Sequence, residues 1–326
     1  MSPPGPVVVA THGHCFDGLA SAVLFTHLLR SIDAGRYAQL PFVYRGQAYD
    51  PGKSGVDPAI FANASESAIL DFRYTATDRL TWYFDHHVSA FPGDAERAHF
   101  AALQQRGRAF YDAKAGSCTM LVDRTARSTF GVDTARFEEL VRWADMIDTA
   151  GFPTPMMAVE RTHPEMKLLA VIEQQGDDKL LSDLAVRLSQ RPLSEVAVDP
   201  DLVARFTPLD ALHREHVNRI RARAQHRGAV VWVDLLELPV ETVTKFVTYA
   251  DYPDVPYSVV ASRTEKRCKI SVGYNPWCKI PRTHDIARIC ERHGGGGHPV
   301  VGAIALPADV ERCRKLALEI VEELQR

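Results

Sequence analysis

Residues 83–90 read YFDHHVSA: an apolar run stops and an acid and two imidazoles follow at once, Asp85, His86 and His87. Polar side chains crowded at the end of a buried strand are costly unless something there uses them. Imidazole nitrogen together with carboxylate oxygen suits Mn²⁺, Fe²⁺, Co²⁺ or Zn²⁺, whereas an all-oxygen set favours Mg²⁺ or Ca²⁺. The same donor types recur as His12, His14 and Asp17 in THGHCFDG, as Asp71 in ILDF, and as Asp145 or Asp148 in RWADMIDTAGF. Two divalent ions about 3.5–4 Å apart, joined by a carboxylate and a water, form a device for in-line displacement at phosphorus. Taken singly, an Asp after a strand is usually a helix cap or turn residue. Taken as a set, these residues read as a site.

The elements that would position them follow from the pattern of apolar residues. PVVVA (6–10), PFVYR (41–45), SAILDF (67–72) and LTWYF (80–84) are expected strands, alternating with helical stretches such as DGLASAVLFTHLLRSI, GSCTMLVDRTA and ARFEELVRWADMID. Such alternation predicts an α/β fold with a mainly parallel sheet covered by helices on both faces. Ligands of such sheets bind beyond the carboxyl ends of the strands. His12, Asp71 and Asp85-His86-His87 all fall there, at the ends of three separate strands.

Composition shifts between about 190 and 227, where RPLSEVAVDPDL precedes the basic PLDALHREHVNRIRARAQHRG, read as a connecting helix. Beyond it GAVVWVDL, YSVVASR, CKISVGY and VVGAIAL read as strands, with helices over THDIARICERH and DVERCRKLALEIVEELQR. The expected organisation is a domain over 1–190, a linker with a connecting helix over 191–227 and a smaller α/β domain over 228–326, with the active site in the cleft between the two domains. In ERHGGGGHPVVGA, the four glycines Gly294, Gly295, Gly296 and Gly297 allow positive φ and close approach of the backbone to a ligand. Their N–H groups and the His298 side chain would suit an anion.

The 326 residues carry 38 basic and 41 acidic side chains, a formal charge of −3, so nothing global calls for nucleic acid or a membrane. No apolar run approaches the ~20 residues that span a bilayer. The start, MSPPGPVVVATHGH, lacks the basic segment of a secretory signal. Six scattered cysteines without a C-x-x-C pair argue for reduced thiols and a cytoplasmic setting.

Together these pieces resemble the DHH family of phosphoesterases with its C-terminal DHH-associated domain, over nearly the whole chain. The motifs are Asp85-His86-His87, ILDFRY with Asp71, and GGGGHPVVGA. The family includes nanoRNases that also act on phosphoadenosine phosphate, cyclic-dinucleotide phosphodiesterases and single-strand exonucleases, with manganese pyrophosphatases as distant relatives. The resemblance implies that Asp71 bridges two Mn²⁺ ions, that His86 binds one, that His87 faces the substrate phosphate and that Asp85 orients the imidazoles. It implies a substrate grip by Gly295, Gly296, Gly297 and His298, with Asn275 also assigned to substrate binding. His12 and Asp17 then look like ligands. Cys15 stands where the family's first motif commonly has Asp, and His14 where a subgroup with H-x-N-C-P-D-G has Asn, which makes His14 a substitute ligand. WAD favours Asp145 and DTAGF favours Asp148 for the fourth motif; spaced i and i+3, they share a helix face. In KISVGYNPW, Gly273 stands where the resemblance leads to an arginine, so a charged grip on the substrate phosphate is either absent or supplied by another residue such as Arg263 or Lys279.

Two weaker signals are the arginine-rich stretch 213–227, which could track phosphates, and Tyr274 and Trp277, which could stack a base. Trp232 reads as core. The function so reached is metal-activated hydrolysis of phosphoester bonds in short single-stranded oligonucleotides or small nucleotides. The alternatives are polyphosphate or pyrophosphate hydrolysis, or a nucleotide-binding module whose catalysis is impaired. A homodimer is left open.

Overall fold

The apolar runs that end in acid or imidazole become neighbouring strands. The computed structural model describes residues 4–48, 55–239 and 246–326. Two compact units result: Met1–Gly151 with His163–Phe206, and Phe152–Thr162 with Thr207–Arg326. Elements run β1 (Val7–His12), α1 (Phe16–Ile32), α2 (Ala34–Tyr37), β2 (Phe42–Gln47), β3 (Glu66–Leu70), β4 (Trp82–Asp85), α3 (Asp94–Gln105), β5 (Ala109–Tyr111), α4 (Cys118–Phe130) and α5 (Glu138–Asp148). They continue with α6 (Pro155–Glu160), α7 (Pro164–Gln175), α8 (Asp178–Gln190), α9 (Leu193–Val196) and α10 (Pro200–Arg223).

The first sheet has the order β2-β1-β3-β4-β5 and every neighbouring pair is parallel. Its register explains the site. Thr11 lies beside Leu70, and Leu70 beside Phe84. His12, Asp71 and Asp85 are each one residue further on, so three adjacent strands release their polar residues at one level.

Both faces of this sheet are covered, which is why its strands are apolar without strict alternation. Trp82 and Phe84 of β4 meet Phe25 of α1, and Trp82 also meets Phe130 of α4. Tyr83, pointing the other way, packs with Phe100 of α3.

The second unit adds β6 (Ala224–Arg227), β7 (Val230–Leu235), α11 (Phe246–Asp251), β8 (Tyr257–Arg263), β9 (Arg267–Tyr274), α12 (Ile286–Glu291), β10 (Gly296–His298), β11 (Val301–Pro307) and α13 (Val310–Glu323). Its sheet, ordered β10-β11-β9-β8-β7-β6, is antiparallel except for the β7–β8 pair. Trp232, Val259 and Ile270 pack with Ile289 of α12 and Ile320 of α13. Val231 and Val260 pack instead with Val159 of α6, Val217 and Ile220 of α10 and Val247 of α11.

Several sequence expectations change. Residues 224–227, read as the end of the basic helix, pair with β7 as a strand. The glycine run is partly a strand too, since Gly296 to His298 pair with Val301 to Ala303. Gly297 has φ +153°, and a Cβ there would run into the Val301 carbonyl, so glycine is what lets these strands close up. The stretch 191–227 is ordered helix and strand, and α10 passes from one unit to the other at Phe206–Thr207, next to Pro208. Segment Phe152–Thr162 joins the second unit because Val159 is buried there and its carbonyl accepts a hydrogen bond from His213 Nε2 at 2.6 Å. Among the described residues no helix is long and apolar enough to cross a membrane.

Candidate metal centre and a separate basic groove

Asp71 is the hub. It follows β3 directly, is 1% exposed and has φ +53°, a left-handed backbone that only a few residue types tolerate. Its Oδ2 lies 3.8 Å from His12 Nδ1 and 3.6 Å from Cys15 Sγ. Its Oδ1 lies 3.6 Å from His86 Nε2 and 3.7 Å from His87 Nδ1. One carboxylate therefore touches two donor sets, one on each oxygen. Burial and the nearby Asp17 carboxylate push the Asp71 acid well above the ordinary range.

On the second side, His86 Nδ1 donates to the Ala115 carbonyl at 3.1 Å, so that in the neutral ring Nε2 is the nitrogen with a free lone pair. That Nε2 sits 3.4 Å from Asp148 Oδ2 and 3.9 Å from Asp17 Oδ2. Burial opposes a charge on His86, yet Asp71, Asp17 and Asp148 outweigh it and raise its pKa to about 9. Asp148 in turn is raised to about 6, by burial and then by Asp17. Without a cation these groups hold protons to relieve their mutual repulsion.

Asp17 has a second task. Its carboxylate accepts from Cys118 N at 2.7 Å and Thr119 N at 2.9 Å, capping α4. The structural and the chemical readings of this residue are both realised.

Asp85 is fully buried. It accepts from the His86 and His87 backbone N–H groups, from Tyr83 Oη at 2.9 Å and from His87 Nδ1 at 2.7 Å. It thus orients His87, while His86 takes its orientation from Ala115. Burial opposes charge on His87 and Asp85 favours it; the net shift is upward. Nε2 of His87 is left for a ligand or a proton.

Three groups of donor atoms come within 4.8 Å of one another: Asp71, Asp85, His86 and His87; His12, Cys15 and Asp71; Asp17, His86 and Asp148. Asp71 Oδ1 and His86 Nε2 are buried with no hydrogen-bond partner. Orphaned atoms of this kind need an explanation, and mixed imidazole and carboxylate donors fit a divalent transition ion. Of the two acids in α5, Asp148 is in a donor group. Asp145 lies against Gly116 at the turn before α4. The i, i+3 spacing could not separate them. His14 is outside the groups: it is exposed, has φ +55°, and its Nδ1 meets the Glu173 carbonyl at 3.1 Å.

The second unit has its own groove of about 470 Å³. Gly296, Gly297 and His298 line it, together with Tyr249, Arg263, Arg267, Lys269 and Ser271. Arg263 reaches the groove but its guanidinium donates to the Leu236 and Glu237 carbonyls. Lys279 does not line it. Arg267 and Lys269 were not singled out from sequence. Their signal was the alternation Arg267, Lys269, Ser271, Gly273, which puts all four on one face of β9. A Cβ on Gly273 would strike Tyr249 Oη, so Tyr249 fills the space that a side chain there would take.

Four other sequence candidates are engaged in hydrogen bonds or ion pairs within the second unit. Asn275 is fully buried, with Nδ2 donating to the Pro253 and Val255 carbonyls and Oδ1 accepting from Trp277 N. Trp277 Nε1 donates to Phe152 O at 2.8 Å and Tyr274 Oη to Ile280 O at 2.9 Å. In the arginine-rich stretch, Arg214 pairs with Asp210, Arg221 with Asp251 and Arg223 with Glu237. Trp232 is core, as expected.

No family model and no curated protein matches the chain. Solved structures do. A pGpG-specific phosphodiesterase, PggH from Vibrio cholerae, aligns with TM-score 0.66 at 18% identity, covering 98% of this chain and 99% of that one. An exopolyphosphatase-related protein from Bacteroides fragilis aligns with TM-score 0.53 at 14% identity, over 98% and 92%. The exonuclease RecJ bound to manganese aligns with TM-score 0.53 at 10% identity, over 96% and 89%. The chain has the DHH-phosphoesterase fold. Within that fold, the residue pattern DHH falls at the end of β4, and the departure at Cys15 falls inside a donor group, beside His12 and Asp71.

Proposed function

We propose that this protein is a divalent-cation-dependent phosphoesterase acting on short oligonucleotides or small nucleotides. The observation that carries the reading is Asp71, buried, held in a left-handed conformation and flanked on its two oxygens by two donor sets, with its own Oδ1 and His86 Nε2 unpartnered. The left-handed turn at Asp71 aims its carboxylate into the cluster at the strand ends, and Asp is among the few residue types that adopt it readily. Asp17, Asp71, His86 and Asp148 would hold one cation and suit Mn²⁺; His12 and Asp71 would contribute to a second. Cations bound there supply charge neutralisation for a phosphoryl group and make water acidic.

The chain's own residues then have distinct tasks. Asp85 accepts the Nδ1 proton of His87 and so presents Nε2, which can hold or give a proton at a phosphate oxygen. Ala115 keeps His86 in the tautomer that offers Nε2. The Arg267 and Lys269 side chains, with His298, make the groove of the second unit attractive to an anion. The likeness to a pGpG phosphodiesterase supports a linear dinucleotide as the first substrate to try.

A second reading, polyphosphate or pyrophosphate as substrate, is favoured by one observation. Tyr274 and Trp277, the candidate base-stacking residues, are tied to other backbone groups and do not line the groove. Purified protein stripped of cations and resupplied with Mn²⁺ should cleave linear dinucleotides, and His86→Ala should not. Equal rates on polyphosphate and dinucleotide would favour the second reading. Anion binding without hydrolysis of any phosphoester or phosphoanhydride would overturn both and leave a binding module.

A further inference from the structure

Cys15 stands at the N-terminal boundary of α1, half-buried, with no capping hydrogen bond from its side chain. Its Sγ points instead at the hub carboxylate, 3.6 Å from Asp71 Oδ2. His12 Nδ1 approaches the same oxygen at 3.8 Å, and the three donor atoms all lie within 4.8 Å of one another. Ligand bonds of about 2.0–2.3 Å around a tetrahedral ion separate neighbouring ligand atoms by roughly 3.3–3.8 Å, and both distances to Asp71 Oδ2 fall within that range. The carboxylate they share is almost wholly buried, with Oδ2 turned to this pair and Oδ1 to His86 and His87.

Resting on the two-cation reading above, we propose that Cys15 is itself a ligand, and that it makes the two cation positions chemically unequal. The position at His12, Cys15 and Asp71 offers nitrogen, sulfur and oxygen, a set that selects a borderline ion of the Zn²⁺, Co²⁺ or Fe²⁺ class. The position at Asp17, Asp71, His86 and Asp148 offers one nitrogen and carboxylate oxygens, and accepts Mn²⁺. The asymmetry is set by one residue of this chain.

Co²⁺ titrated into the cation-free protein tests this directly, because a cobalt–thiolate bond gives a near-ultraviolet charge-transfer absorption that nitrogen and oxygen ligands do not. The band is expected to grow with one equivalent of Co²⁺ and to be missing in Cys15→Ser and Cys15→Asp. Persistence of the band in both variants would mean another thiol, such as Cys118, is the ligand, and would overturn the assignment. Two bound ions without the band would also overturn it while leaving the phosphoesterase reading intact. No bound ion at all would remove both. In equilibrium with Zn²⁺ and a large excess of Mn²⁺, which offsets the general preference of such donors for Zn²⁺, mass spectrometry of the wild-type protein should find one of each. Cys15→Asp should lower the preference for Zn²⁺ by at least about tenfold, since even residues that only support a ligand change affinity by that much.

Discussion

The two sheets of this molecule carry opposite chemistry by opposite means. At the edge of the parallel sheet, acids and imidazoles are buried, crowded and held by many hydrogen bonds. On the mixed sheet, Arg267, Lys269 and His298 stand exposed along an open groove, with β9 and β10 presenting them. Buried like charges are tolerated only if something neutralises them, so the first region demands cations and geometry. The second needs only long-range attraction, which solvent screens. The first should therefore fail abruptly when one atom changes, and the second should fade by degrees.

The largest effect is expected at the hub. Asp71→Asn should lower phosphoester hydrolysis by about 10³-fold or more, with binding of inorganic polyphosphate to the groove unchanged by calorimetry. Loss of both together would break the contrast between the regions. Next comes the pair that manages the proton: His87→Gln or Asp85→Asn should cost about 10²-fold or more in kcat with little change in KM. A rise in KM alone would show that His87 only holds substrate.

Cation binding offers a third measure. His86 is raised to about 9 and Asp148 to about 6, so the folded, cation-free protein binds more protons than the unfolded chain. Stability from these protons is full at low pH; the Asp148 share is lost as pH rises through about 6 and the His86 share as it rises through about 9. A divalent cation does the same work without protons. The rise in Tm on adding Mn²⁺ should therefore be larger at pH 9 than at pH 6, and an equal rise at both would contradict the link.

At the groove, Lys269→Ala and Arg267→Ala should each raise KM by about tenfold or less, and raising the salt should shrink the difference. The smallest effect tests the space at Gly273. Gly273→Arg should leave the metal centre active but lower Tm, because Tyr249 must move at a cost of about 1–3 kcal/mol. A variant with unchanged Tm would mean that Tyr249 gives way freely.

What the sequence disclosed, and what it hid, divides along the same line. Strand ends are local: an apolar run followed by His12, Asp71 or Asp85 marks itself, and the parallel register does the rest. Distances across the fold are not local. Asp145 and Asp148 share a helix face, so only the packing of α5 decides which meets His86. His14 lies two residues from His12 but turns away, because its left-handed backbone sends the ring toward Glu173. In the sequence, Gly294 to Gly297 point to close approach of a ligand, whereas the close neighbour of Gly297 is strand β11. Segment Phe152–Thr162 carries no mark of belonging to the second unit, because Val159 finds its place only through α10. The basic face of β9 is present as a period of two, Arg267 and Lys269, but two charges on an exposed strand face do not by themselves distinguish a groove from solvated surface.

The conformation of Asp71 also bears on how such a site decays. With φ at +53°, the position accepts Asp, Asn or Gly with little strain and resists branched or bulky side chains. A descendant that abandoned the chemistry would be free to discard the carboxylate but not the backbone. Its trace would be an asparagine or glycine after β3, a silent centre recognisable by the turn it still has to make.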